Sequence, residues 1–422
     1  MSTPANWDWE TGERLIADLN EWDSPYQWVE EPYISPDGEK AAAIVNIDET
    51  EFSICENGKL WCDDVYDKAW SLKYTQDGRL TAIVCVDDEW AVAVDGISWD
   101  NTYDYVWNKV FSETGDTIAV AVQQDGEYSM VINDTQWENT FDFMTSMTLS
   151  PDGKNTSAVV QTVEFGSGEI FKFKEGCFTA APNGNTWDEN FVNVWKMAFN
   201  TKGDQLAAEV RLNLYDYTIA VNGKPWEQTF GCVWKPVFNP TNGGVIAAVK
   251  KAGKWTIAED GQIIWDTSFA QTWRQTFSPD GKKVAAVVAP SYGKWTIAVD
   301  GKAWNHIFNE SITDLIFSQD SKRISAIGKN NGRYKIISDG TVWEKEFDMA
   351  WAPVFNTDSS HIAAKVEING KRTIAVDGKV WSHMCDDIQD PVFSPDGSKI
   401  LCKCIENGKY FRRIVQTSDI LS

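Results

Sequence analysis

The groups that could do chemistry in this chain of 422 residues are few, and their spacing sets limits on what they do. The three histidines are His306, His361 and His383. His306 and His383 each stand two residues after a recurring tryptophan, one repeat apart from being neighbours, and His361 falls on a different segment. A metal centre gathers three or four ligands, so no metal is expected. Cys55, Cys62, Cys85, Cys177, Cys232, Cys385, Cys402 and Cys404 contain neither a CxxC pair nor a CxxCH motif. Cys402 and Cys404, in "KILCKCIE", share one face of a strand. That is half a metal site or, as read here, a pair of small buried hydrophobes. No arrangement of His, Cys and Ser marks an activated nucleophile. "FGSGE" at 165–169 lacks the lysine and the strand-to-helix setting of a phosphate loop, so no cofactor is expected.

Carboxylates are the remaining chemical candidates, because a glycosidase needs only a facing pair. An acid recurs directly after the periodic tryptophan, at Asp23, Asp100, Glu138, Asp188, Glu227, Asp266 and Glu344. Such regularity fits a solvated position. Catalysis would instead place an odd residue in one repeat, so a non-enzyme is expected, with a carbohydrate hydrolase or lyase as the alternative.

Charge narrows the partners. With 38 Lys and Arg against 62 Asp and Glu, the formal charge is −24, which repels nucleic acid and anionic lipid. The start "MSTPANWDWETGERL" has no basic and apolar leader pattern, and no apolar run approaches the 18 or more residues of a spanning helix. A cytoplasmic location is expected, with any membrane attachment made through partner subunits.

The elements that must position these groups are set by a repeat. Tryptophans at 22, 61, 99, 137, 187, 226, 265, 304, 343 and 381 are separated by 39, 38, 38, 50, 39, 39, 39, 39 and 38 residues. The single long gap is explained by an insertion, "VEFGSGEIFKFKEG", at 163–176. Within each unit an aromatic residue precedes a turn such as Ser-Pro-Asp-Gly, a strand rich in small and β-branched residues follows, and a second strand ends in Asp-Gly or Asn-Gly. The last is a strong hairpin signal. Four short strands per unit at a period near 40 predict an all-β fold, a β-propeller of about ten four-stranded blades. The last unit lacks a tryptophan-bearing fourth strand, and "NEWDSPYQWVEEP" near the N-terminus supplies a strand to close a single ring; two smaller propellers are the alternative. Residues 1–21 are then an N-terminal extension and 22–422 the propeller.

Trp-x-x-x-Phe or Tyr recurs on the fourth strand, as in Trp304 with Phe308, and predicts two rings on one strand face filling the wedge between blades. A second set, Trp70, Trp107, Trp195, Trp234, Trp273 and Trp351, falls eight or nine residues later, near the start of the next blade, and Trp28 follows Trp22 by six. Exposed together, these rings would form a partner surface, because Trp is enriched at interface hot spots. Phe165, Ile170, Phe171 and Phe173 give the insertion more apolar residues than a solvated loop requires, a further candidate contact.

Phe-Ser-Pro-Asp-Gly, a small-residue strand and an aromatic strand ending in Asp-Gly resemble the WD40-like repeat of TolB-type propellers, over nearly the whole chain from Trp22 onward. The segment "MSTPANWDWETGERLIADLNEWDSPYQW" and the spaced tryptophans resemble, more narrowly, the tryptophan-rich subunit of the Tmc transmembrane redox complex of sulfate-reducing bacteria. That resemblance implies a non-catalytic scaffold on the cytoplasmic side of a membrane-bound electron-transfer complex in sulfate respiration. Its partners would be iron-sulfur and cytochrome subunits. A small-ligand sensor is a further alternative.

Overall fold

A computed structural model describes residues 6–22, 24–61 and 65–422; Asp23 and Cys62 lie outside them. Ten small antiparallel sheets follow one another along the chain as the blades of a ten-bladed β-propeller. Blade three shows the plan, with strands a (Tyr105–Phe111), b (Ile118–Gln124), c (Glu127–Ile132) and d (Thr135–Gln136), each paired to the next. Two compact units hold them, residues 65–277 and residues 1–64 with 278–422. Among the described residues no helix is long and apolar enough to cross a membrane.

The turns explain why the repeat keeps its polar residues. In Ser-Pro-Asp-Gly the serine hydroxyl donates to the aspartate and accepts the N–H that opens strand b: Ser278 Oγ to Asp280 Oδ1 is 2.6 Å, and Lys283 N to Ser278 Oγ is 3.0 Å. Between strands c and d, both turn residues take positive φ, +47° at Asp300 and +78° at Gly301, which is the two-residue turn that matches strand twist. The aspartate does more than turn, since Asp300 Oδ1 accepts the N–H of Val284 at 2.9 Å. Asn57, Asp95, Asn133, Asn183, Asn222, Asp260, Asp339 and Asp377 do the same in other blades. Strand b, buried along most of its length, is thereby tied at its first residue.

Strand d differs from expectation. It is two residues long, and after it the tryptophan N–H bonds back to strand c, as Trp99 N to Val92 O at 2.8 Å. The chain then leaves the ladder and returns at a single bridge, Tyr103 with Trp90. A hydroxyl on strand c holds the detour: Thr373 Oγ1 donates to the carbonyls of Trp381 at 3.1 Å and His383 at 2.7 Å. The two rings therefore do not share a strand face, yet they meet edge to face, with centroids 6.4 Å apart for Trp137 and Phe141.

Blade ten is completed from the N-terminus, by a strand upstream of the segment expected for it. Gly12–Asp18 pairs with Lys409–Gln416 in the register Glu13 to Arg413 and Asp18 to Lys409. Trp22, past a short 3-10 turn, is buried with Ala43, Cys55 and Tyr410. The insertion also differs from a plain loop, since Ile170–Glu175 is a short helix.

Candidate binding site

The second set of tryptophans stands on strand a, where every blade must break its ladder. In three unbroken strands the residue after the tryptophan turns left-handed, with φ of +55° at Ser71, +53° at Asn108 and +52° at Arg274, while after Trp195 the break is a bulge opposite Glu209. Where proline follows, as Pro236 after Trp234 and Pro353 after Trp351, its missing N–H splits the strand in two. The tryptophan itself stays paired, as Trp234 N–H to the Ala248 carbonyl at 2.9 Å, and the ladder breaks just after it.

The six rings are not brought to one place. Trp70 and Trp107 form a row with Tyr105 between them, at centroid distances of 6.3 and 5.8 Å. Trp351 lies between two cations, Lys365 Nζ at 4.6 Å and the Arg372 guanidinium at 5.6 Å from its centre. Trp195, Trp234 and Trp273 line one recess of about 560 Å³ in the unit of residues 65–277. Trp234 stacks on Trp255 with centroids 5.3 Å apart and planes 6° apart, and Trp195 stacks on Tyr217 at 5.9 Å and 11°. Their planes are thus fixed before anything binds. Trp234 is 41% exposed, and the other two rings are half-buried.

Glu209, on strand b of blade five (Leu206–Arg211), lies in the same recess. It pairs with Ile219 and stands opposite the bulge between Val194 and Met197. At its place in strand b the other blades carry Ile44, Ile83, Ala121, Val159, Ala248, Val287 and Ile327, and two carry Lys365 and Lys403. Lys365 is paired with Asp387 at 3.1 Å, and Lys403 reaches the Pro36 carbonyl at 3.5 Å. Glu209 is only 7% exposed and makes no hydrogen bond or ion pair among the described residues. Burial pushes its carboxyl up to about 7, against a smaller opposing pull from Lys196. Three cations, Lys196, Lys235 and Arg274, each follow a lining tryptophan in sequence and are exposed at the mouth.

The sequence reading missed Glu209, although the signal was there. It is the odd residue in one repeat that an active or binding site requires, hidden in a strand rather than at the conspicuous acids after the periodic tryptophan. Those acids, Asp100, Glu138, Asp188, Glu227, Asp266 and Glu344, are exposed, as a solvated position requires.

The histidines are also placed. His306 lies against Phe308 at 4.7 Å, and burial lowers its pKa. His361 Nδ1 is 2.6 Å from Asp377 Oδ2. His383, Cys385 and Glu406 offer ligand atoms within 4.8 Å of one another, a grouping built from two blades that chain spacing does not reveal. Arg413 Nη1 donates at 2.6 Å to Glu406 Oε1, the oxygen that His383 Nε2 contacts at 2.7 Å. A guanidinium therefore already neutralises this carboxylate, and the group is an ion-pair network with Glu13 as its outer member, 2.6 Å from Arg413 Nε.

The chain matches no protein-family model and no curated protein by sequence. Among solved structures it is similar to a crystal structure of a eukaryotic initiation factor, with 12% identity, covering 79% of this chain and 88% of that one at a TM-score of 0.49.

Of the insertion residues, Phe165 packs on Phe173 at 5.7 Å and on Phe178 at 6.2 Å, so these rings anchor the segment to its blade. Ile170 and Phe171, 55% and 76% exposed, face outward.

Proposed function

We propose that the protein is a non-catalytic binding propeller that engages its ligand in the recess of Trp195, Trp234 and Trp273. The observation that carries this reading is Glu209, a buried and unpaired carboxylate facing an apolar recess of ligand size. Binding is favoured over hydrolysis by the lining. Glu209 is the one carboxylate among the described lining residues, whereas glycoside cleavage takes a pair. The one thiol there, Cys232, is held protonated by burial. A fragment screen by ligand-observed NMR, run on the wild type and on Trp234→Ala, tests the proposal. Binders whose signal depends on Trp234 are expected, and their absence would sink it.

A scaffold role is supported by a different feature, the outward Ile170 and Phe171 on the insertion helix. In the form that the Tmc resemblance implies, the partner is an iron-sulfur or cytochrome subunit of a membrane-bound complex. Co-purification of the chain with such subunits from solubilised native membranes tests it, and recovery of the chain alone counts against it.

A further inference from the structure

We infer that the recess takes a planar heteroaromatic anion whose ring edge carries paired N–H donors, the chemistry of a guanine nucleotide. The ring lies on the tryptophans, the N–H pair meets Glu209, and the phosphate meets Lys196 and Lys235. The inference rests on the recess being the binding site.

Each part answers to a group in the lining. A hydrocarbon would satisfy the indole walls but leave the Glu209 carboxylate without water or partner, which costs more than the apolar contact returns. A cation would satisfy Glu209, but Lys196 and Lys235 line the same recess and would repel it. An anion without donors would meet those cations and be repelled by Glu209. A ligand that is anionic at one end and a double N–H donor at the other meets both demands, since a carboxylate accepts two parallel hydrogen bonds through its two oxygens. Flatness is required by the walls: Trp234 and Trp195 are already held in stacks, so the ligand meets preset planes. The volume of about 560 Å³ lies within the range of small-molecule pockets.

The placement of charge is a second observation. In a chain of net charge −24, three consecutive blades carry Trp-Lys, Trp-Lys and Trp-Arg, at 195–196, 234–235 and 273–274. The equivalent tryptophans elsewhere are followed by Ser71, Asn108 and Ala352. Directly after these tryptophans, the cations fall in the blades that line the recess.

Calorimetric titration of the purified full chain at low salt and pH 8 with guanosine 5′-monophosphate, adenosine 5′-monophosphate and guanosine tests the inference. Guanosine monophosphate is expected to bind saturably. The adenine nucleotide, with an acceptor nitrogen beside its amino group, and guanosine, with no phosphate, should bind at least about tenfold more weakly. Glu209→Gln, which keeps size and removes a buried charge, should weaken guanosine monophosphate about tenfold and narrow its lead over the adenine nucleotide. Lys235→Ala should weaken the nucleotides and reduce the salt dependence, leaving guanosine unchanged. No saturable binding by the wild type, equal affinity for the two nucleotides, or unchanged affinity in Glu209→Gln overturns the inference. If fragments bind in a Trp234-dependent way while the guanine nucleotide does not, the recess stands as a site and this ligand chemistry is wrong. If no binder depends on Trp234, both fall.

Discussion

Trp137 lies against Gly184, the second residue of the c–d turn in the following blade, so closely that a side-chain carbon on Gly184 would sit 3.1 Å from the tryptophan Cβ and Cγ. Trp187 with Gly223, Trp226 with Gly261, and Trp343 with Gly378 repeat the relationship. The glycine is thus needed twice, once for its positive φ and once for the indole of the blade before it.

Two glycines separate these demands. Gly184 has φ of +78° and the indole above it, whereas Gly126 has φ of +85° and nothing within 4 Å. Gly126→Ala should cost about 1 kcal/mol, the strain of the left-handed backbone alone. Gly184→Ala should cost roughly 2 to 4 kcal/mol, because overpacking is added. Urea unfolding of both variants measures the difference, and equal losses would show that the indole contact contributes nothing.

The N-terminal strand has its own test. Arg412, 2% exposed, donates through Nε to the Asp37 carbonyl at 2.9 Å and through Nη2 to the Asp8 carbonyl, and Lys399 Nζ reaches the Trp9 carbonyl at 2.7 Å. Removing residues 1–18 deletes two of these acceptors and leaves strand 409–416 as an open edge. Self-association in light scattering is expected, reversed by adding a peptide of residues 6–20. A truncated chain that stays monodisperse at an unchanged melting temperature would contradict it.

Most of the fold was legible because its signals are local and repeated. Ser278, Asp280, Asp300 and Gly301 act within a few residues or one strand away, so their meaning survives in a linear reading. The closing strand was misplaced because Trp22 stands where the period puts a strand-d tryptophan. It fills the hydrophobic wedge from a 3-10 turn instead, while Gly12–Asp18 does the pairing. The candidate site was half legible. Trp195, Trp234 and Trp273 were named, but they were grouped with Trp70, Trp107 and Trp351, which the structure puts in other settings. Glu209 escaped because its oddity appears only when ten b strands are laid in register.

Glu209 should mark the pH dependence of stability. Its carboxyl is pushed up to about 7 from 4.5, so the folded chain keeps a proton that the unfolded chain releases above about pH 4.5. Its contribution to stability therefore falls as pH rises from about 4.5 through 7, and is flat beyond. The charged groups facing it are Lys196 on its own blade and Lys235 and Arg274 from the next two; Tyr217 and the protonated Cys232 complete the surround. Glu209→Gln imitates the neutral acid. It should match the wild type in chemical unfolding at about pH 4 and exceed it at about pH 8 by up to about 3 kcal/mol. An equal effect at both values would refute the burial account.

The exposed pair on the insertion helix predicts the opposite pattern. Replacing Ile170 and Phe171 together by serine should leave stability within about 0.5 kcal/mol, since neither is buried. Recovery of membrane subunits in affinity purification should fall by at least about fivefold if the helix is a contact. Equal recovery would remove the insertion from the scaffold reading.

The pairing of Gly12–Asp18 with Lys409–Gln416 also imposes an order on synthesis. The strand that finishes the last blade is made long before the partner it pairs with. Until then the early segment is a sticky ribbon with its hydrogen bonds unspent, and almost the entire loop must be gathered before they are used. The join is therefore a late latch. Without Gly12–Asp18 the edge of Lys409–Gln416 stays open, and without Lys409–Gln416 both Gly12–Asp18 and Lys399–Glu406 lose their partner, so failure of either strand leaves unpaired backbone exposed.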